Sequence, residues 1–127
     1  MPSKEDIIST VEAYAAAQTS GDVDAVVALF APDAVVADPV HEPAHVGREA
    51  IHTFFSGTRD MVDSMVLEVT GPIRAVDRYA AVPLRAVSHI GGSRVAVDSV
   101  DVFTFEDNGL IGDMKAYWDP AGITPVD

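Results

Sequence analysis

The chain changes its period at Gly57. Before that point apolar residues recur at helical spacing. After it, Val-rich runs alternate with polar residues and are separated by Gly or Asn-Gly signals. Helices followed by an antiparallel meander predict an α+β domain, with a curved sheet wrapped around about three N-terminal helices as a cone with an open pocket. At 127 residues, with 48% apolar and 22% charged positions, residues 1–127 read as a single globular domain.

Residues 4–19 read as the first helix, with Ser3 as its cap and Glu5 and Asp6 in its first turn. Ile7, Val11, Tyr14, Ala15 and Gln18 share one face, and Gly21 ends the pattern. "DVDAVVALF" predicts a second short helix closed by Pro32 and Asp33, followed by a strand at 34–38. Next comes the Pro- and His-rich loop "PVHEPAHVG", from which Gly47 opens a third helix, "REAIHTFFS". Strands are expected near 64–76, 79–90, 93–105 and 110–118, with hairpin turns at "IGGSR" and "EDNGL".

Charge narrows the partners. Eight Lys and Arg against 20 Asp and Glu leave a net charge of −12 with no basic block, which disfavours nucleic acid, anionic lipid and strongly anionic substrates. A small, neutral, apolar molecule is not repelled. No membrane span is expected, and "MPSKEDIIST" lacks the apolar core of a signal peptide, so a cytoplasmic address is expected. Cys is absent, which removes disulfides, thiolate nucleophiles and thiolate metal sites.

Three polar residues stand on apolar faces. In "RVAVDSVDVFTF", Val97, Ser99, Asp101, Phe103 and Phe105 share one face of a strand, so Asp101 is expected among Phe side chains with a raised pKa. A one-residue error would instead put it in solvent or against Arg85 or Arg94. Tyr14 lies on the apolar face of the first helix, where the simpler reading is a core aromatic with a satisfied hydroxyl. Asp38 ends the apolar run "AVVA", and Pro39 biases its backbone toward extended geometry; a turn carboxylate is the plainer reading. Together, a carboxylate base and two O–H donors around an apolar cavity suit proton abstraction beside a ketone.

The sequence resembles the bacterial Δ5-3-ketosteroid isomerases of the cone-shaped nuclear-transport-factor-2-like superfamily. The likeness is carried by Tyr14 in "VEAYAAAQTSGDVDAVVALFAPDAVVADPV", by Asp38 in its closing "ADPV", by Asp101 in "SVDVFTF" and by "MKAYW". It implies Asp38 as the base that moves a steroid proton from C4 to C6, with Tyr14 and a neutral Asp101 as donors to the dienolate oxygen. This family is a standard illustration of a carboxylic acid kept neutral in an apolar site, so the neutral Asp101 follows from the resemblance. It further implies Trp118, Phe55 and Phe103 as pocket residues, a homodimer, and no cofactor or metal. Phe30 and Phe55 stand where some members carry supporting tyrosines, so an extended Tyr network is not expected here. Tyr79 and Tyr117 are not assignable to one.

"HEPAH" at 41–45 matches a zinc-protease pattern formally, but Pro43 opposes the helix that chemistry requires. His52 and His89 read as surface or satisfied residues. Rival functions on the same cone are an epoxide hydrolase with an Asp-Arg-Asp cluster, or a cyclase or dehydratase with a pocket His, for which His89 is the candidate. A non-catalytic carrier of apolar ligands is the alternative of a different class.

Overall fold

The computed structural model describes residues 1–126. Helix α1 (Lys4–Ser20) starts at a capping box, in which Ser3 Oγ accepts the Asp6 amide and the Asp6 carboxylate accepts the Ser3 amide. It stops at Gly21, whose φ of 74° is left-handed and costs glycine little. A short helix α2 (Val23–Val27) follows, capped by Asp22. Helix α3 spans Arg48–Asp60.

The strands are β1 (Phe30–Ala37), β2 (His45–Val46), β3 (Ser64–Val69), β4 (Arg74–Val76), β5 (Tyr79–Ile90), β6 (Ser93–Phe105), β7 (Ile111–Tyr117) and β8 (Thr124–Pro125). They form one sheet in the order β2-β1-β7-β6-β5-β3, with β4 on β5 and β8 on β6. The β1–β7 pair is parallel and the others are antiparallel. Ile7, Val11 and Tyr14 of α1 and Ile51 and Phe55 of α3 are buried in one core with Val82, Leu84, Phe103, Phe105 and Met114 of the sheet. This is the expected α+β cone: a curved mixed sheet closed on one face by three helices.

The boundaries expected for β5 and β6 agree with the structure, and "IGGSR" is their turn. Corrections fall where long-range bonds decide. The second helix ends before Phe30, because Leu29 O accepts the Ile111 amide of β7 and Phe30 O accepts two bonds from the Arg48 guanidinium. Phe30 and Ala31 therefore open β1, four residues earlier than the strand expected at 34–38, and Pro32 and Asp33 occupy a break in its register. The segment 64–76 divides at Gly71-Pro72 into β3 and β4, both pairing with β5. Strands β2 and β8 have two residues each, too short for any alternation to show.

Candidate active site

The sheet register brings two carboxyl groups onto one row. Ala37 pairs with Lys115 across β1 and β7, and the Val40 amide donates to Ala116 O, so Asp38 lies beside Ala116. Ala116 is in turn the cross-strand partner of Asp101. Two inter-strand spacings separate the backbones of Asp38 and Asp101 by roughly 10 Å. Between them stands a side chain of a single carbon. Asp38 precedes a cis Asp38-Pro39 bond and is partly buried.

Asp101 is 4% exposed, the one charged residue type buried among the described residues. The alternative partner Arg85 is taken up elsewhere: its guanidinium binds Asp98 at 3.0 and 3.4 Å on the opposite face of the sheet. Ser99 Oγ donates to Asp101 Oδ1 at 3.2 Å. Burial, with the Asp38 charge second, pushes the Asp101 carboxyl up to about 8, so it is mostly neutral at pH 7 and keeps an O–H to donate.

Tyr14 is 2% exposed and boxed by aromatic edges, with Phe103 at 5.5 Å and Phe30 and Phe55 each at 6.3 Å between ring centroids. Its hydroxyl oxygen accepts from Gln18 Nε2 at 3.2 Å. Burial and then the charges of Asp101 and Asp38 raise its pKa well above the ordinary phenol value, against the Gln18 bond. At neutral pH it is a proton donor. Asp38 Oδ1 accepts the Trp118 indole N–H at 2.6 Å. Its pKa is raised by burial, while the Trp118 bond and the charge of His45 oppose the rise.

Tyr14, Asp38, Asp101 and Trp118 are thus brought together, with Phe55 and Phe103 packed in the core against the Tyr14 ring. Two surface hollows, about 450 Å³ beside His45 and Phe54 and about 430 Å³ beside Met1 and Asp107, contain none of the three acid-base groups. The three meet inside the fold. Ser99 has no mark in the sequence beyond its place on the Asp101 face, and its bond to Asp101 needs the observed rotamers. Gln18 is legible as the residue one helical turn beyond Tyr14.

His41, Glu42 and Pro43 are exposed and lie outside any helix, while His45 sits on β2, so "HEPAH" lacks the helical face a zinc site needs. No three His, Cys, Asp or Glu among the described residues cluster as metal ligands. His52 is on the surface, bonded to Asp24 and Ser56, and His89 is exposed near the far end of β5.

A family model for the SnoaL-like domain matches residues 11–114. The chain belongs to the SnoaL-like family. This SnoaL-like domain is 33% identical over 123 residues to "Steroid Delta-isomerase" of Nocardioides simplex, covering 95% of this chain and 98% of that one. Among solved structures it is similar to the epoxide hydrolase/cyclase-like enzyme SalBIII, described for pyran ring formation in the polyether salinomycin. There the TM-score is 0.89 at 28% identity, over 99% of this chain and 100% of the other. The fold is therefore of the nuclear-transport-factor-2-like kind, in a family that holds both isomerase-like and cyclase-like relatives.

Burying Asp101 has a thermodynamic consequence. Its folded-state pKa lies above its unfolded value, so the folded chain binds the extra proton between about pH 4 and 8 and loses stability as pH rises through that window. Asp101→Asn keeps the shape and does not ionise. The melting temperature of the variant should gain on that of wild type from pH 4 to pH 9, by on the order of 10 °C. Parallel melting curves across that range, followed by circular dichroism, would remove the case for a buried neutral carboxyl.

Proposed function

We propose that the protein is a steroid Δ-isomerase, converting 3-oxo-Δ5 steroids to conjugated 3-oxo-Δ4 steroids. The observation that carries this reading is a buried carboxyl, Asp101, set one Ala116 away from Asp38 on the sheet, with the buried phenol of Tyr14 close enough to feel both charges. The likeness to a steroid Δ-isomerase over nearly the whole chain supports it.

In this mechanism Asp38 removes the C4 proton, and the C–H electrons form a dienolate whose charge gathers on the C3 oxygen. Tyr14 and Asp101 each donate a hydrogen bond to that oxygen. Asp38 then returns its proton to C6, leaving the double bond between C4 and C5. Atoms and charge balance without a cofactor. Trp118 holds Asp38 Oδ1, leaving Oδ2 to work as the base. A raised pKa makes Asp38 a better proton acceptor than an ordinary carboxylate, yet the Trp118 bond keeps it from being captured by its proton.

The test is an ultraviolet assay of the purified protein with a 3-oxo-Δ5 steroid, reading the conjugated-enone band. Its growth at a rate proportional to protein supports the reading. Steroid binding without the band would instead favour a carrier. A carrier, however, has no use for a carboxyl whose burial costs stability at neutral pH. The similarity to SalBIII makes acid-assisted ring closure of an epoxy alcohol the second reading, since a neutral Asp101 and an ionised Asp38 are also an acid and a base. Arg85 and Asp98, paired on the outer face, supply no Asp-Arg-Asp water site to that reading. Val100, Tyr117 and Tyr79, which are 44–50% exposed on the outer face of the sheet, are where the homodimer partner would dock.

A further inference from the structure

The Tyr14 ring is enclosed by three Phe rings that offer its hydroxyl no polar atom. The support that neighbouring hydroxyls could give an oxyanion donor has to come from elsewhere. Gln18 lies one turn further along α1, on the same face, and helical side chains lean back toward the N-terminus. That lean carries its amide to 3.2 Å from the Tyr14 oxygen. The turn holding Gln18 is itself fastened from outside. Gln18 O accepts the Gly21 amide at 3.2 Å and Arg59 Nη1 of α3 at 3.2 Å. A Cβ at Gly21 would stand 2.7–2.8 Å from the Arg59 guanidinium, so only glycine lets Arg59 close so tightly on the helix end.

We propose that Gln18 is a positioning residue for Tyr14: its amide N–H donates into the phenol oxygen and directs the single phenol proton toward the substrate oxygen. The proposal rests on the isomerase reading of Tyr14 and deepens it. The chemistry follows from counting protons. A phenol has one hydrogen to give and lone pairs to receive. If the Gln18 carbonyl faced it, the Tyr14 hydrogen would be spent on Gln18. With the N–H facing it, the hydrogen is free and the O–H is polarised, because hydrogen bonds in a chain strengthen one another in a low-dielectric interior. Burial and the charges of Asp101 and Asp38 all weaken Tyr14 as an acid, and the Gln18 bond opposes them. Gln18 thereby performs, within one helix, the task of a hydroxyl network that Phe30 and Phe55 cannot provide.

The experiment is a double-mutant cycle on the full chain: wild type, Gln18→Met, Tyr14→Phe and the double variant, each measured for kcat and KM on the 3-oxo-Δ5 steroid. Methionine matches glutamine in length and lacks the donor. Gln18→Met is expected to lower kcat roughly 3- to 10-fold with KM unchanged, the worth of one hydrogen bond. In the Tyr14→Phe background the same change should have no further effect on kcat. An unchanged kcat in Gln18→Met, or an equal loss in both backgrounds, overturns the proposal, since a merely structural glutamine acts whether or not the phenol is present. The affinity of 2-naphthol, whose oxygen mimics the dienolate, is measured in the same four proteins. It should weaken in Gln18→Met by a similar factor only where Tyr14 is intact, and equal affinity overturns the proposal. If wild type turns over no steroid, the isomerase reading fails, and the naphthol cycle still decides whether Gln18 acts through Tyr14.

Discussion

Asp38→Asn should abolish nearly all isomerisation while leaving steroid binding almost unchanged. An amide has the carboxylate's shape, and its carbonyl oxygen still accepts the Trp118 indole N–H that holds Asp38 Oδ1 at 2.6 Å. It has no basic oxygen to take the C4 proton. Loss of a positioned general base is worth about 10²- to 10⁴-fold, and the fall should be in kcat. A second signature accompanies it. The Asp38 charge raises the pKa values of both Asp101 and Tyr14, so removing it makes each a stronger acid. Loss of the Asp101 proton should then move to lower pH in the variant, as followed by the pH dependence of 2-naphthol binding. Wild-type rates in Asp38→Asn would discard Asp38 as the base.

The donors carry the other large effect. Tyr14→Phe and Asp101→Leu should each lower kcat about 10²- to 10³-fold, the cost of one donor to a developing oxyanion. Asp101→Asn should lose less, since an amide N–H still donates where leucine cannot. pH separates the roles. In the proposed mechanism, turnover requires Asp38 ionised and Asp101 protonated. Activity should therefore rise with pH through the raised pKa of Asp38 and fall again as Asp101 loses its proton near pH 8. The two groups interact, so the limbs belong to the pair. Asp101→Asn should flatten the alkaline limb and keep the acid one. An alkaline limb that survives in Asp101→Asn assigns it to another group, and full turnover in Tyr14→Phe or Asp101→Leu removes that residue from the oxyanion site.

The parts of the site legible in the sequence are those set by period. Residues of β6 alternate without a break from Val97 to Phe105, which puts Asp101 on the face of Phe103 and Phe105 and sends Asp98 outward to Arg85. Tyr14 follows from the helical spacing of Ile7 and Val11, and Gly21 marks where that helix stops. The resemblance supplied Asp38 as a base and Trp118 as a pocket residue, and the structure makes them hydrogen-bonded neighbours. Phe30 was not legible in its true place, since a helical propensity at "VVALF" yields to the β7 amide and the Arg48 guanidinium that take its carbonyl groups. Strand β2 was hidden for a related reason. His45 and Val46 pair with Val36 and Val35, partners nine and eleven residues away that no local pattern announces.

By itself, then, the sequence determined the element types, the long β5–β6 hairpin and the faces on which Tyr14 and Asp101 stand, because turn chemistry and alternation act over a few residues. Only the tertiary structure decided that Ala116 lies between Asp38 and Asp101, that Trp118 donates to Asp38, and that Asp101 is buried deeply enough for its pKa to rise. Those depend on the pairing of β1 with β7, in which Ala37 meets Lys115, and on the removal of water from a carboxyl group, and neither exists until the sheet has closed over its helices.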